Sequence, residues 1–243
     1  MLLEVQNLSK RFGGLQAVNN LNFQVKKGEI LGLIGPNGAG KTTVFNLITG
    51  VYRPDGGVIK FREEDIAGLK PYTICTKGIC RTFQIAQPFR EMTSLKNVVI
   101  GAFSRTSYTE EAKNKAEEIL SYVGLGEKKE VLAKELTTID QRRLEIARAL
   151  ATDPKLLLLD ETMAGLNLKE CDEAVSVIKK IRDGGIAIIV VEHVMRAIMS
   201  LSERIIVVDY GTKIAEGKPE EIRSNENVIK AYLGKEYRRA IRK

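Results

Sequence analysis

Short, unbroken apolar runs bounded by glycine alternate along this chain with stretches in which apolar residues return every three or four positions. That alternation predicts strands and helices taking turns in a mainly parallel sheet. The clearest runs are Ile30 to Ile34, Leu156 to Leu159, Ile186 to Val191 and Ile205 to Val208. Because they lack an in-and-out alternation, they are expected to be central strands covered by helices on both faces. The first 25 residues and Val58 to Phe61 read as shorter strands of a flanking sheet, with Pro54-Asp55-Gly56-Gly57 as a turn. From about Ile85 to Asp153 the strand pattern disappears, and Ala112, Ala116, Ile119, Leu120 and Val123 recur on one helical face. The last helix of this inserted stretch has a capping-box start at Thr138-Ile139-Asp140-Gln141 and runs to about Ala151, before Pro154 ends it.

Length and composition narrow the class. With 243 residues, 44% hydrophobic and 28% charged, the chain is globular and long enough to bury a sizeable core. Disordered, collagen-like and repeat architectures fall away. No apolar run approaches the roughly 20 residues that span a bilayer, and the start lacks a basic region followed by an apolar one, so neither a membrane span nor secretion is expected. Cys75, Cys80 and Cys171 lack close pair spacing and read as reduced, mostly buried thiols. The surplus of 38 basic over 31 acidic residues falls partly in Lys235, Arg238, Arg239, Arg242 and Lys243, read as a solvated tail. A surplus this modest, with no aromatic base-binding stripe, argues against a nucleic-acid partner.

Candidate chemistry follows the first central strand. Gly35-Pro36-Asn37-Gly38-Ala39-Gly40-Lys41-Thr42-Thr43 matches GxxxxGK[ST] between a strand and a helix. Glycines let the backbone curl so that successive N–H groups surround phosphate oxygens, and the helix adds its positive end. Lys41 supplies charge to the β- and γ-phosphates, the Thr42 hydroxyl is a ligand for Mg²⁺, and Thr43 is placed for the α-phosphate. A second apolar strand ends in Asp160-Glu161, a metal-binding carboxylate followed by a base for the attacking water. His193, the one histidine, follows the strand Ile186 to Val191, where its imidazole can reach a γ-phosphate.

Together these residues resemble the nucleotide-binding subunit of ABC transporters, most closely the branched-chain amino acid importer subgroup. Further motifs carry the resemblance from Leu3 to about Gly234: Lys10-Arg11-Phe12-Gly13, Arg81-Thr82-Phe83-Gln84, Gln141-Arg142-Arg143-Leu144-Glu145-Ile146-Ala147-Arg148, Ala164-Gly165-Leu166-Asn167 and Val191-Glu192-His193. It implies an α/β fold: a P-loop NTPase (RecA-like) core over 1–84 and 154–234 with a flanking antiparallel β-subdomain, a helical subdomain over 85–153, and a basic tail over 235–243. It also implies that Phe12 stacks on adenine, the alternative being a core-facing aromatic, and that Gln84 contacts Mg²⁺ or the attacking water. Phe89 and Met92 lie where the family receives permease subunits, with core packing an equal alternative.

The same resemblance implies ATP and Mg²⁺ as ligands and a second ATPase subunit, identical or related, across a head-to-tail dimer. Integral-membrane permease subunits are direct partners at the cytoplasmic face, and an extracytoplasmic solute-binding protein is an indirect one. The alternatives are a lipid-type exporter subunit or an ATP-binding regulator with little turnover. The chain departs from the family where the partner's ATP is gripped. Thr137, Thr138, Ile139 and Asp140 stand in place of a glycine-bearing signature, so Ile139 is expected to add bulk and Asp140 to set a carboxylate against the partner's γ-phosphate. Thr162 replaces the usual proline after Asp160-Glu161.

Overall fold

The chain opens on an antiparallel pair, β1 (Leu3–Phe12) and β2 (Leu15–Val25), in a computed structural model that describes residues 1–84 and 87–232. The basic tail over 235–243 lies outside the described residues. At 10 and 11 residues these strands are not the short ones expected. Register shifts after Val5, Leu8 and Lys10 bend the pair and let it continue where strict alternation has lapsed. Then follow β3 (Ile30–Ile34), α1 (Lys41–Ile48), β4 (Gly56–Phe61) and β5 (Glu64–Asp65). The expected turn at Pro54 to Gly57 is shorter than its residues suggest, because Gly56 already pairs with Ser9. Asp55 closes that turn, its carboxylate taking the Arg11 N–H and the Lys10 ammonium.

After α2 (Pro71–Lys77) and β6 (Ile79–Arg81) comes the helical insert of α3 (Ser94–Ala102), α4 (Thr109–Tyr122) and α5 (Thr138–Ala151). Helix α5 starts one residue before the expected box: Thr137 is the N-cap, its hydroxyl accepting the Asp140 N–H, while Gln141 turns back to Leu136 O. The chain finishes through β7 (Leu156–Asp160), α6 (Leu168–Asp183), β8 (Ala187–Val191), α7 (Met195–Leu201), β9 (Arg204–Asp209), β10 (Thr212–Gly217) and α8 (Pro219–Ser224).

Two sheets result. One is antiparallel in the order β2-β1-β4-β5; the other runs β10-β9-β3-β8-β7-β6, parallel except for β10. Alternate residues of the parallel strands enter opposite cores, which explains their continuous apolar sequences. Ile30, Ile34, Leu157, Leu159, Ile188 and Val190 pack with the inserted helices, α6 and α7. Leu31, Leu33, Leu156, Leu158 and Ile189 pack with α1 and the antiparallel sheet. Of the three thiols only Cys171 is buried; Cys75 and Cys80 are half-buried at the α2–β6 connection.

Candidate nucleotide and hydrolysis site

Strand order builds the site. The neighbours β3-β8-β7-β6 are parallel, so the segments following their carboxyl ends lie side by side: the phosphate loop, His193, Asp160-Glu161 and Gln84. Residues distant in sequence thus share one rim, the usual ligand edge of such sheets.

The phosphate loop is held by close backbone approaches. Gly40, at φ +104, hands the loop to α1, and a Cβ there would stand 2.3 Å from Ala17 O. A side chain at this point has both the wrong dihedral and no room. Gly211 N–H donates to Ala39 O at 3.0 Å, tying the loop to the β9–β10 hairpin. Asn37, Gly38 and Thr42 are exposed, Pro36, Gly40 and Thr43 half-buried, and Gly35 and Ala39 buried. Lys41 Nζ donates to Gly35 O at 2.7 Å and Pro36 O at 3.1 Å. Burial lowers its pKa, against the raising influence of Glu161 and Asp160.

Beside the loop, Glu161 collects the other expected residues. Its Oε2 accepts from Gln84 Nε2 at 2.8 Å, and its Oε1 shares a hydrogen bond with His193 Nε2 at 2.8 Å. Glu161 has φ +51, a left-handed conformation costly for a residue with a Cβ and one that structures concentrate at functional sites. Its N–H donates to Val191 O, so the turn is fastened to the end of β8. A carboxylate between an amide donor and an imidazole, next to a phosphate cradle, is equipped to take a proton from water attacking a phosphate.

Asp160, buried at the end of β7, has its pKa raised by burial, with Arg81 opposing. Arg81 Nη2 donates to Asp160 Oδ2 at 2.9 Å. Among the described residues Asp160 Oδ1 accepts no hydrogen bond, leaving an oxygen, with the exposed Thr42 hydroxyl, for a hard cation. No group of three or more His, Cys, Asp or Glu suited to a metal occurs among the described residues, so a cation here would draw further ligands from phosphate or water.

Phe12 is 41% exposed and meets Tyr52 edge-on at 5.1 Å, which excludes the core-facing alternative. Thr137 and Thr138 are also exposed, and Ile139 half so. Asp140 is not: it is buried, with Oδ2 taking Lys128 Nζ at 2.6 Å and the Thr137 hydroxyl at 2.7 Å. Burial raises its pKa, but those partners and Arg143 outweigh it and hold the carboxyl below its ordinary value. The expected carboxylate facing a partner's phosphate is therefore corrected; Asp140 turns inward to fasten α5. In the Gly165-Leu166-Asn167 segment Gly165 is exposed, while Asn167 caps α6 in a reciprocal box with Glu170.

Two residues with no assigned role in the sequence enter the site: Arg81, and Glu192, which is buried and bonded to the turn after Glu161. Glu192 Oε1 accepts from Met163 N–H at 2.9 Å and the Thr162 hydroxyl at 3.3 Å. Burial raises its pKa to about 7. Helix α5 also grips the segment after β6: Glu145 takes Phe83 N–H, Arg142 donates to Gln84 O, and Arg148 donates to Gln87 O.

A phosphate loop after β3 and a strand-end carboxylate pair on β7, two parallel strands with β8 between them, and a helical insert joining β6 to β7, are the frame of a P-loop ATPase built as a transporter cassette. Residues 18–164 match the ABC transporter family model, and residues 212–238 match that of the branched-chain amino acid ATP-binding cassette transporters. The chain belongs to the ABC transporter family and is an ATP-hydrolysing cassette. It is 46% identical to the high-affinity branched-chain amino acid transport ATP-binding protein LivG of Escherichia coli, over 96% of this chain and 98% of that one. An ABC transporter ATP-binding cassette solved in its ADP conformation is 31% identical, covering 96% of this chain and 98% of its own, with a TM-score of 0.89. A dimeric cassette bound to ADP and Pi is 26% identical, covering 89% of this chain and 98% of its own, with a TM-score of 0.80.

Proposed function

We propose that this chain powers import of branched-chain or other hydrophobic amino acids through a separate permease, acting as a dimer at the cytoplasmic face of the membrane. The observation that carries turnover is the placement of Gln84 and His193 on the two oxygens of Glu161, each at 2.8 Å. The cargo rests on the likeness to LivG and on the branched-chain family match over 212–238, which also favours import over lipid export. Among the described residues no helix is long and apolar enough to cross a membrane, so separate permease subunits supply the channel.

In this reading the exposed Phe12 face stacks on the base, the loop amides and Lys41 hold the β- and γ-phosphates, and Thr43 reaches the α-phosphate. The oxygen donors Thr42, Asp160 Oδ1 and Gln84 suit Mg²⁺. When bound, Mg²⁺ neutralises charge on the phosphate oxygens. Glu161 removes the proton of the attacking water, and His193 orients Glu161 and the γ-phosphate. A turnover-poor regulator has no use for this assembly.

The second ATPase subunit, identical or related, meets the exposed Thr137 and Thr138 and the half-exposed Ile139. ATP thus closes a head-to-tail pair and hydrolysis reopens it, a differential binding that moves the permease. The segment 85–153 is the coupling unit, set into a core of 1–84 and 154–234. Its exposed Phe89 and Met92 receive the permease, and the buried Asn97 side chain fixes both by bonding Phe89 N and O and Met92 O. The solute-binding protein acts through the permease alone.

The test is co-purification with the permease followed by uptake of leucine, isoleucine, valine and phenylalanine into ATP-loaded proteoliposomes. Uptake of these, and not of charged amino acids, is expected. ATP turnover with no uptake of any of them would reject the cargo.

A further inference from the structure

Arg81 ends β6 inside the protein, where a cation is costly unless it is paired. Its side chain and that of Asp160 are 8% and 4% exposed. All three sides of the guanidinium are used: Nη2 donates to Asp160 Oδ2 at 2.9 Å, Nη1 to Asn46 Oδ1 at 2.6 Å, and Nε to Thr82 O at 3.2 Å. Its central carbon lies over the Phe83 ring, 4.7 Å from the centroid. Next to it, the Thr82 hydroxyl accepts the Asp160 N–H at 3.2 Å, and Thr82 N–H donates to Leu158 O. The carboxylate is thereby fixed from both its backbone and its side chain, by consecutive residues of one neighbouring strand end.

The fork does more than balance a charge. A lysine offers a point charge, whereas the planar guanidinium spans Asp160 and Asn46 at once and so sets the carboxylate's rotation against α1, the helix that begins with Lys41 and Thr42. With Oδ2 held, Oδ1 accepts no hydrogen bond among the described residues.

We propose that Arg81 is a positioning residue: by pinning Asp160 Oδ2 to Asn46 of α1 it aims Oδ1 at the cation that accompanies the nucleotide. This rests on the reading of Asp160 as a metal ligand. Residues that orient a ligand from behind change metal affinity by roughly 10–100-fold when removed.

The experiment uses the full chain loaded with ADP and measures Mn²⁺ affinity by the electron paramagnetic resonance of free Mn²⁺, with ADP binding in EDTA measured separately. Arg81→Met is expected to weaken Mn²⁺ binding by about 10-fold or more while leaving ADP affinity in EDTA unchanged. Arg81→Lys, which keeps the charge and guards against a misfolded first variant, is expected to fall between native and Arg81→Met.

If both variants bind Mn²⁺ as native does while Asp160→Asn weakens it, this inference fails and the metal role stands. If Asp160→Asn binds Mn²⁺ as native does, the metal role itself fails. Tighter Mn²⁺ binding in Arg81→Met would make Arg81 a competitor of the metal and overturn the proposal. Native affinity in Arg81→Lys would likewise show that the fork is not needed.

Discussion

The Asp140 carboxylate meets the Lys128 ammonium at 2.6 Å on the inner side of the first turn of α5. In this position its charge joins the helix start to the loop after α4 and is spent within the subunit. Any weakening of an ATP sandwich by this unusual signature must then come from Ile139, whose side chain is half-exposed beside Thr138. In a Glu161→Gln background, which blocks turnover, Ile139→Gly is expected to raise the dimer fraction with Mg-ATP. Asp140→Asn is expected to leave that fraction unchanged and to cost about 1.5 kcal/mol of stability, the scale of a hydrogen bond to a charged group. Light scattering after size exclusion and urea unfolding check the two halves.

Glu161→Gln preserves the side-chain shape between Gln84 and His193 but removes the proton acceptor. Hydrolysis by the permease-bound protein is expected to slow by a factor on the order of 10² or more, with ATP affinity near native. Native turnover in a phosphate-release assay would remove Glu161 from the base role.

Phe89 and Met92 are 44% and 38% exposed, and Arg148 covers one face of the Phe89 ring at 4.7 Å. Charge placed there disturbs little of the core. The double variant Phe89→Asp, Met92→Asp is therefore expected to fold, to bind nucleotide as native does, and to lose the permease on affinity purification. Retention of the permease would send the docking surface elsewhere.

Glu192 supplies a pH dependence. Its folded pKa is about 7 against an ordinary 4.5, so its contribution is fully present below 4.5, where both folded and unfolded chains are protonated. As pH rises the unfolded chain ionises first, and stability falls by up to about 1.4 kcal/mol per pH unit until the folded pKa is passed. Glu192→Gln stays neutral and lacks this slope. Urea unfolding at about pH 5 and about pH 8 should show the variant gaining on the native protein at the higher pH. A constant difference would contradict the burial argument.

The central strands were legible to within a residue or two because burial on both faces leaves an apolar signature that no partner sequence needs to supply. The residues after them were legible because phosphate chemistry demands glycine, lysine and carboxylates in fixed order. Arg81 and Glu192 were not: each is a polar side chain whose partners, Asn46 and Asp160 for one and Thr162 and Met163 for the other, come from distant parts of the chain, so nothing adjacent marks it as buried. Asp140 was misplaced for the same reason. Its outward carboxylate was expected from its place in the signature stretch, and what turns it inward is a partner distant in sequence, Lys128, together with the Thr137 hydroxyl.

The three polar holds of α5 on the segment after β6, from Arg142, Glu145 and Arg148, differ in kind from the apolar seat of that helix. Each hold is directional and ends on a backbone N–H or C=O, and that of the buried Glu145 is costly to leave unmade, whereas the apolar face is held by its buried area. Two of these holds end on Phe83 and Gln84, and the Gln84 amide itself donates to Glu161, so a displacement of α5 would reach the hydrolytic carboxylate through polar contacts alone.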